Sequence, residues 1–292
     1  MVRPMVKASR NIPRNYEERA ISQKRVSRRS KGATATADIG QKSCLYHIVM
    51  SLFLGGQVLM RLIRGRISRR HVMEHMVSAG PCSLAPALLT NLFAGMIFTI
   101  QTARELVRYG ALHTLGGAFA VAFCRELSPI LTAAILAGQV GSAFASEIGC
   151  MKVTDQIDAL KVLRTDPVDY LVAPRVVACC IMLPVLTVIS LTIGIGGGVF
   201  VAQHFYQASP SVFLESIRSL LDLTDLTTVL LKAVIFGAMI ALSGCSWGLT
   251  TTNSKSVGRS ATAAVVTTWV SLFVIDFFLS LILFGDVGVA IH

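Results

Sequence analysis

The sequence predicts an all-α membrane protein, with an N-terminal interfacial helix followed by about five transmembrane helices. Two observations lead to this fold class. Of the 292 residues, 53% are hydrophobic and only 15% are charged, whereas soluble domains carry roughly 25% charged residues. The apolar residues also gather into runs of about 20 residues, the length that a helix needs to cross the hydrocarbon core of a bilayer.

Five such runs predict the transmembrane helices, at 84–103, 111–138, 176–203, 228–250 and 262–285. An earlier run at 44–62 is interrupted by His47 and Gln57 and contains Arg61 near its end. We therefore expect this segment to lie in the membrane interface, with a sixth span as the alternative. Residues 44–292 are predicted to form one membrane domain.

Residues 1–43 form a basic tail that precedes this domain. The tail has eleven Lys or Arg residues against Glu17, Glu18 and Asp38. Its many Arg and Ser residues, few acids and lack of a long apolar run are typical of an organellar transit peptide rather than of a secretory signal. The alternative is the basic cytoplasmic tail of a bacterial protein. Nucleic-acid binding is the weaker interpretation of the +11 net charge, because the basic residues lack interleaved aromatics and a recognisable fold.

The basic residues of the loops predict the orientation of the spans, since cytoplasmic loops carry an excess of Lys and Arg. The loops on the side of the N-terminus, the cis side, hold Arg61, Arg64, Arg66, Arg69, Arg70, Lys152, Lys161, Arg164, Arg175, Lys255 and Arg259. The opposite, trans loops hold Arg104, Arg108 and Arg218. The N-terminus is therefore predicted on the cis side and the C-terminus on the trans side.

Charged residues within the predicted spans are the most informative feature of the sequence. Arg125 and Glu126 lie in the second span, Lys232 lies in the fourth span two turns after Asp225, and Asp276 lies in the fifth. A charge at the bilayer centre costs about 2.5–3.5 kcal/mol on insertion scales, so such residues face a bundle interior or an aqueous cavity. They predict either a polar lining that admits an anionic or amphipathic substrate, or a structural buried pair, for instance Arg125 with Asp276.

The cis loop at 140–175 predicts a short amphipathic helix from Met151 to Leu163. Its charged residues recur at a spacing of three and are Lys152, Asp155, Asp158 and Lys161, as on one face of a helix. This helix fits either a solvated connector or a segment that docks in a groove of a partner protein.

Two motifs resemble catalytic signatures without their context. Residues 244–248 match GxSxG around Ser246, but a nucleophile elbow needs a strand, a turn and a helix, and this match ends a predicted span. His71 and His75 match the HxxEH zinc pattern, yet no third ligand is identifiable. We therefore predict no catalytic residues and no metal site, and the absence of a GxxxxGK[ST] motif excludes a nucleotide site of the P-loop kind.

Four stretches of the chain resemble the MlaE-type permease family, the membrane subunits of ABC lipid transporters associated with MCE proteins. They are RELSP at 125–129, the run from LAGQVGSAF to LVAPRV at 136–176, LKAVIFG at 231–237, and CSWGLTTTNSKSVGRSATAAVV at 245–266. The resemblance covers roughly residues 44–292. The CSWGLTTT and DPVDYL sequences resemble those of the plastid and cyanobacterial branch of this family.

The resemblance implies a permease that is not itself an enzyme and binds no cofactor. A separate ABC ATPase subunit would hydrolyse ATP, a second permease copy would complete a homodimer, and an MCE-domain protein would bind substrate. The implied cargo is a glycerophospholipid such as phosphatidic acid, imported across the chloroplast inner envelope, with a bacterial or cyanobacterial inner membrane as the alternative. The alternative function is a non-transporting scaffold for a lipid-binding protein.

The resemblance also implies residue roles. The substrate path or its supports would include Arg125, Glu126, Asp225, Lys232 and Asp276. The segment at 147–163 would be the coupling helix that docks on the ATPase, through Glu147, Lys152, Asp155, Asp158 and Lys161.

Overall fold

The computed structural model describes residues 49–51, 53–58, 60–61 and 69–284. All regular structure in these ranges is helical, without a strand. The helices are α1 (Arg69–Arg108), α2 (Leu112–Val153), α3 (Gln156–Val162), α4 (Val168–Tyr206), α5 (Pro210–Leu220), α6 (Leu223–Leu249) and α7 (Val257–Phe284). A shorter apolar helix, Val49–Val58, precedes them. The basic tail at 1–43 lies outside the described residues.

Five of these helices, α1, α2, α4, α6 and α7, are long and apolar enough to cross a membrane, which confirms the predicted fold class. The helices extend beyond most of the predicted spans. Helix α1 has 40 residues and is thus about 60 Å long, whereas the hydrocarbon core is about 30 Å thick. The predicted span at 84–103 is therefore one part of a helix that is longer than the hydrocarbon core is thick. The interfacial position of residues 44–62 stays a prediction, and residues 44–48, 52, 59 and 62 lie outside the described part of the chain.

The connections define two ends of the bundle. Helix α3 joins α2 to α4 at one end, which we call the α3 end, and α5 joins α4 to α6 at the other, the α5 end. Because the spans alternate in direction, α1 and α7 both begin at the α3 end. This is the end that the charge pattern predicts to be cis.

Glycines allow the spans to approach closely. A methyl group on Gly194 of α4 would lie 2.6 Å from the ring of Phe123 in α2. One on Gly244 of α6 would lie 2.7 Å from the carbonyl oxygen of Gly141 in α2. Neither contact leaves room for a side chain, so the positions of α2, α4 and α6 depend on these glycines.

Two apolar clusters form the core. The larger one joins α2, α4, α6 and α7 through residues such as Leu136, Leu183, Phe236 and Leu272. The smaller one lies at the α5 end, where Phe119, Phe123 and Phe213 pack together. The charged residues of the spans lie between and beside these clusters, so the apolar packing fixes the helices that carry them.

Candidate functional site: ion pairs inside the bundle

Lys232 is the most deeply enclosed charge of the described chain. Its side chain, on α6, is 0% exposed. The ammonium donates to Glu126 Oε2 at 2.6 Å and to Ser280 Oγ at 2.7 Å, and it lies 3.1 Å from Asp276 Oδ1. An ammonium has three N–H donors and no acceptor, so oxygen atoms of α2 and α7 are suitable partners for it. We call Glu126, Lys232, Asp276 and Ser280 the Lys232 cluster.

The local backbone of α2 helps to set the position of Glu126. Residues Ala120–Leu127 form a π-helical stretch, and Pro129 follows at the start of the next α-helical part. Proline has no N–H, so the carbonyl of Arg125 lacks its usual donor four residues ahead, and a wider turn relieves this mismatch. The wide turn changes the rotation of α2 where Arg125 and Glu126 lie. Such π-turns occur frequently at functional sites.

Ser280 joins the two carboxylate-bearing helices. Its hydroxyl accepts from Lys232 and donates to both oxygens of Glu126, at 3.0 and 2.9 Å. Ser280 was missing from the sequence-predicted site. Ser280 lies four residues after Asp276, and this spacing places it on the same helix face. Serine is too common in membrane helices for that spacing alone to indicate a role.

A second ion pair lies nearer the α5 end. Arg125 donates to Asp225 Oδ2 at 2.7 Å and to the carbonyl oxygen of Leu220 at 3.1 Å. The same Asp225 oxygen accepts from the backbone N–H of Asp222 at 3.1 Å, and the Asp222 side chain in turn caps the first turn of α6. Asp225 therefore both caps a helix and neutralises an arginine.

All five predicted path residues thus come together, in two neighbouring groups. Asp225 and Lys232 are seven residues apart on α6, which separates the groups by roughly 10 Å along the helix. The suggested pairing of Arg125 with Asp276 is wrong, because Arg125 pairs with Asp225 and Asp276 lies beside Lys232. The charge pattern did not fix the partners, since they depend on the rotation of each helix. The two groups hold two cations and three carboxylates.

The predicted coupling residues at the α3 end do not lie on one continuous helix. The predicted helix from Met151 to Leu163 is broken, because α2 ends at Val153 and α3 begins at Gln156. Asp155 between them has a φ of 58°, a left-handed conformation that a continuous helix does not allow. Lys152 therefore belongs to the end of α2, and Asp155 precedes α3.

Asp158 links the two parts of this broken segment. Its carboxylate lies 2.8 Å from Lys161 Nζ and 3.4 Å from Lys152 Nζ. The hydrogen bond from Lys161, with the charge of Lys152, lowers the pKa of Asp158 below its ordinary value. The next residues, Val162 and Leu163, are apolar yet 83% and 73% exposed. The α3 end therefore presents a small apolar surface beside a network of charges.

Glu147, the fifth predicted coupling residue, makes a separate contact. Its carboxylate accepts from Arg175 Nη2 of α4 at 3.0 Å. The guanidinium of Arg175 also donates to the carbonyl oxygen of Leu171 and lies 5.3 Å from the ring centre of Phe144. Glu147 thus ties the last turns of α2 to the first turns of α4.

Arg61 makes the longest-range ion pairs of the described residues at this end. It donates to Asp166 and to Asp169, each at 2.7 Å, and so joins the segment before α1 to the start of α4. The hydrogen bond from Arg61 lowers the pKa of Asp166 below its ordinary value. The sequence did not reveal this contact, because more than 100 residues separate the partners.

Neither catalytic lookalike forms a site. Ser246 is buried within the regular helix α6, so the strand and sharp turn of a nucleophile elbow are missing at this position. His71 Nδ1 lies 3.4 Å from Glu74, while His75 packs its ring against Phe144. Among the described residues, no group of three His, Cys, Asp or Glu side chains could hold a metal ion.

The comparisons with known proteins agree with this geometry. The sequence model described as Permease MlaE matches residues 72–282. A probable ABC transporter permease of Synechocystis sp. is 51% identical over 82% of this chain and 92% of its own length. The chloroplastic protein TRIGALACTOSYLDIACYLGLYCEROL 1 of Arabidopsis thaliana is 43% identical over 80% of this chain and 67% of its own length. A probable ABC transporter permease of Porphyra purpurea is 44% identical over 83% and 92%.

The Synechocystis sp. and Porphyra purpurea relatives are named as probable ABC transporter permeases, and the Arabidopsis thaliana relative is named as chloroplastic. These matches agree with the plastid and cyanobacterial branch that the CSWGLTTT and DPVDYL runs indicate. ABC permease subunits, to which the family model and these relatives point, are not enzymes themselves. The matched range contains both ion-pair groups and the α3 segment. The chain belongs to the MlaE family of ABC transporter permeases.

Proposed function

We propose that this chain is the membrane subunit of an ATP-driven transporter that moves a glycerophospholipid, phosphatidic acid being the first candidate. The observation that carries the proposal is the Lys232 cluster, whose lysine is fully buried within a bundle of apolar helices. Charges at this depth are costly, and they mark substrate or ion pathways in membrane proteins. The chain places three ionisable side chains and a serine at one point of the bundle, where apolar residues would satisfy packing alone.

The geometry gives each group of charges a role in this proposal. Lys232 is fully buried and holds α2, α6 and α7 together through its cluster, so we assign the lysine to the support of the path and not to its lining. Arg125 lies nearer the α5 end, is partly exposed and is the cation best placed to attract a phosphate group. A lipid headgroup that approached it would compete with Asp225 for the guanidinium. Exchange between these two anions would couple lipid binding to the start of α6.

The α3 end is the proposed contact with a separate ABC ATPase subunit. Exposed Val162 and Leu163 provide apolar contact area, and Asp158 with its two lysines provides charge. An exposed apolar pair beside ordered charges is the composition of a protein interface, with an apolar centre and a polar rim. Movement of α3 would reach the bundle through the Glu147–Arg175 pair.

A second copy of this chain and an MCE-domain protein complete the proposed assembly. The face of α7 that carries Phe273, Phe277 and Leu281 is exposed and apolar, as is required of a surface that contacts either lipid or another span. The chloroplastic name of the Arabidopsis thaliana relative and the basic tail together support a chloroplast membrane, the inner envelope being our proposal. The tail would then act as a transit peptide.

The proposal is tested by affinity purification of the tagged chain in mild detergent, followed by mass spectrometry of co-eluting proteins and lipids. A P-loop ATPase, an MCE-domain protein and a bound glycerophospholipid are the expected companions. The lipids recovered would identify the headgroup. Recovery of the chain without an ATPase in several detergents would instead favour the non-transporting scaffold, which has no need of ATP.

The contact with the ATPase has its own test. Asp158→Lys reverses the charge that links Lys152 and Lys161, so we expect it to reduce the amount of ATPase that co-purifies. Glu215→Lys is the matched control, because Glu215 is an exposed acid on α5 at the opposite end. Full retention of the ATPase by Asp158→Lys would contradict the role of the α3 end.

A further inference from the structure

We propose that His75 forms a proton-sensitive contact, which holds the start of α1 against α2 and α4 while its ring is neutral and releases it when the ring is protonated. The motif that resembles a zinc pattern, HVMEH at 71–75, thus has a role that needs no metal. The proposal concerns how the helices pack at the α3 end. It goes beyond the function proposed above, and it holds whether or not the chain moves lipid.

Phe144 of α2 is the point at which the three helices meet. Its ring lies edge-on to the ring of His75 of α1, with 5.8 Å between the ring centres. The guanidinium of Arg175 of α4 lies over the same ring, 5.3 Å from its centre. Phe144 and Arg175 are only 3% and 4% exposed. The histidine and the arginine therefore pack on one enclosed ring.

Glu147 brings a negative charge to this contact. It lies three residues after Phe144 and so on the same face of α2. Its carboxylate accepts from Arg175 Nη2 at 3.0 Å, and this bond ties α2 to α4. A carboxylate prefers cationic donors, so a second cation next to Arg175 would compete for it.

Protonation of His75 creates that second cation. The charged or titratable groups that act on the ring are Arg175 of α4, Glu147 of α2, and His71 and Glu74 of α1 itself. A protonated His75 would repel the guanidinium of Arg175 and draw Glu147 away from it. Both effects oppose the packed arrangement, because the half-buried ring and the buried guanidinium have little water to screen them. The packed contact therefore favours a neutral ring.

His71 provides a comparison, because it lies one turn before His75 on the same face of α1. Its ring contacts Tyr170 of α4, with 4.9 Å between the ring centres. Its Nδ1 lies 3.4 Å from the exposed carboxylate of Glu74. A protonated His71 thus has an acid of its own helix beside it and does not draw on Glu147. We therefore expect the response to come from His75.

The chemistry of histidine sets the pH range. The predicted span at 84–103 begins after His75, so we expect the ring to lie outside the hydrocarbon core, where it can exchange protons with water. The ordinary pKa of histidine is near about 6.5. Stabilisation by the neutral ring is fully present above that pH and is lost as the pH falls below it. At about pH 5.5 an unpacked histidine is protonated about ten times more often than not, so opening can increase by at most about tenfold.

Hydrogen–deuterium exchange of the full chain in mild detergent tests the proposal at about pH 7.5 and about pH 5.5, with exchange times scaled for the intrinsic effect of pH. Loss of packing lowers the protection of backbone amides. We expect the protection of residues 142–153 at the end of α2 to fall several-fold at the lower pH, whereas Pro210–Leu220 at the opposite end keeps its protection. No loss at 142–153, or an equal loss in both segments, would overturn the proposal.

Matched variants identify the histidine that responds. His75→Phe keeps an aromatic ring against Phe144 but cannot be protonated, so we expect the protection of residues 142–153 to be the same at both pH values. His71→Phe keeps the ring contact with Tyr170 and should retain the response of the unsubstituted chain. An unchanged response in His75→Phe would overturn the proposal. Should His75→Phe fail to fold, His71→Phe still decides, because a response lost in that variant would contradict the role of His75.

Discussion

Replacing Lys232 with methionine tests the electrostatic role of the Lys232 cluster. Methionine keeps a long, flexible stem but offers no N–H donor. The change removes the cation from Glu126 at 2.6 Å and from Asp276 at 3.1 Å, and it leaves two carboxylates close together inside the bundle. Breaking a buried ion pair by removing one partner costs about 3–5 kcal/mol. We expect a loss in that range, because the lysine side chain is 0% exposed.

The free energy of unfolding can be measured by titrating the protein in mild detergent with sodium dodecyl sulfate and following tryptophan fluorescence. Lys255→Met is the control, since Lys255 is exposed in the turn before α7 and its loss should change stability by less than about 0.5 kcal/mol. Adding Glu126→Gln to Lys232→Met removes one of the two uncompensated charges. The double variant should therefore recover part of the loss, with a coupling energy of about 0.5–3 kcal/mol. A loss below about 1 kcal/mol in Lys232→Met would refute the reasoning, because it falls below the cost of a broken buried pair. A double variant whose loss is the sum of the two single losses would also refute it, because the two side chains would then not interact.

Three further predictions use the same unfolding assay. Ser280→Ala removes a bridging hydroxyl but keeps the charges, so it should lower the free energy of unfolding by about 1–3 kcal/mol. A loss as large as that of Lys232→Met would contradict the view that the charges contribute more than the hydroxyl. Gly194→Ala forces a methyl group against an aromatic ring at 2.6 Å and should cost about 1–3 kcal/mol, whereas Gly196→Ala meets no atom within 4 Å and should be neutral or stabilising by up to about 1 kcal/mol. Equal changes in stability for Gly194→Ala and Gly196→Ala would exclude the close approach of Phe123 as the cause of the loss in Gly194→Ala. Arg61→Ala removes the hydrogen bond that lowers the pKa of Asp166, and both groups are partly exposed, so it should cost less than about 1 kcal/mol. The pKa of Asp166 is lowered in the folded state, so the stabilisation by this ion pair is fully present above the ordinary carboxyl range near about pH 4. It is lost as the pH falls through the lowered pKa. A cost of Arg61→Ala that persists at lower pH would show that the ion pair is not its source.

The five spans were predictable because burial in a bilayer imposes a composition and a length. Apolar runs of about 20 residues have few other structures open to them. The same physics makes Glu126, Lys232 and Asp276 conspicuous, since each is an exception within an apolar run. The sequence therefore singled out residues that lie together in the candidate site, although not how they pair.

The pairing depends on geometry that the sequence does not show directly. The π-turn before Pro129 changes the direction of Arg125 and Glu126, and this rotation decides that Arg125 pairs with Asp225. Ser280 joins the cluster through the packing of α7, and the break at Asp155 depends on one left-handed residue. Each of these features follows from tertiary packing or from a single backbone angle, which local periodicity does not reveal.

In the function that we propose, the chain moves lipid when a partner hydrolyses ATP, and the Lys232 cluster supports this movement. Its most direct test is the transfer of labelled phosphatidic acid by the complex purified with its ATPase and reconstituted in vesicles, with and without ATP. We expect transfer that requires ATP in the unsubstituted chain, a large loss with Glu126→Gln although the ATPase still co-purifies, and no change with Glu105→Gln, an acid in an exposed ion pair with Arg108. Transfer that does not depend on ATP, or full activity of Glu126→Gln, would contradict the account.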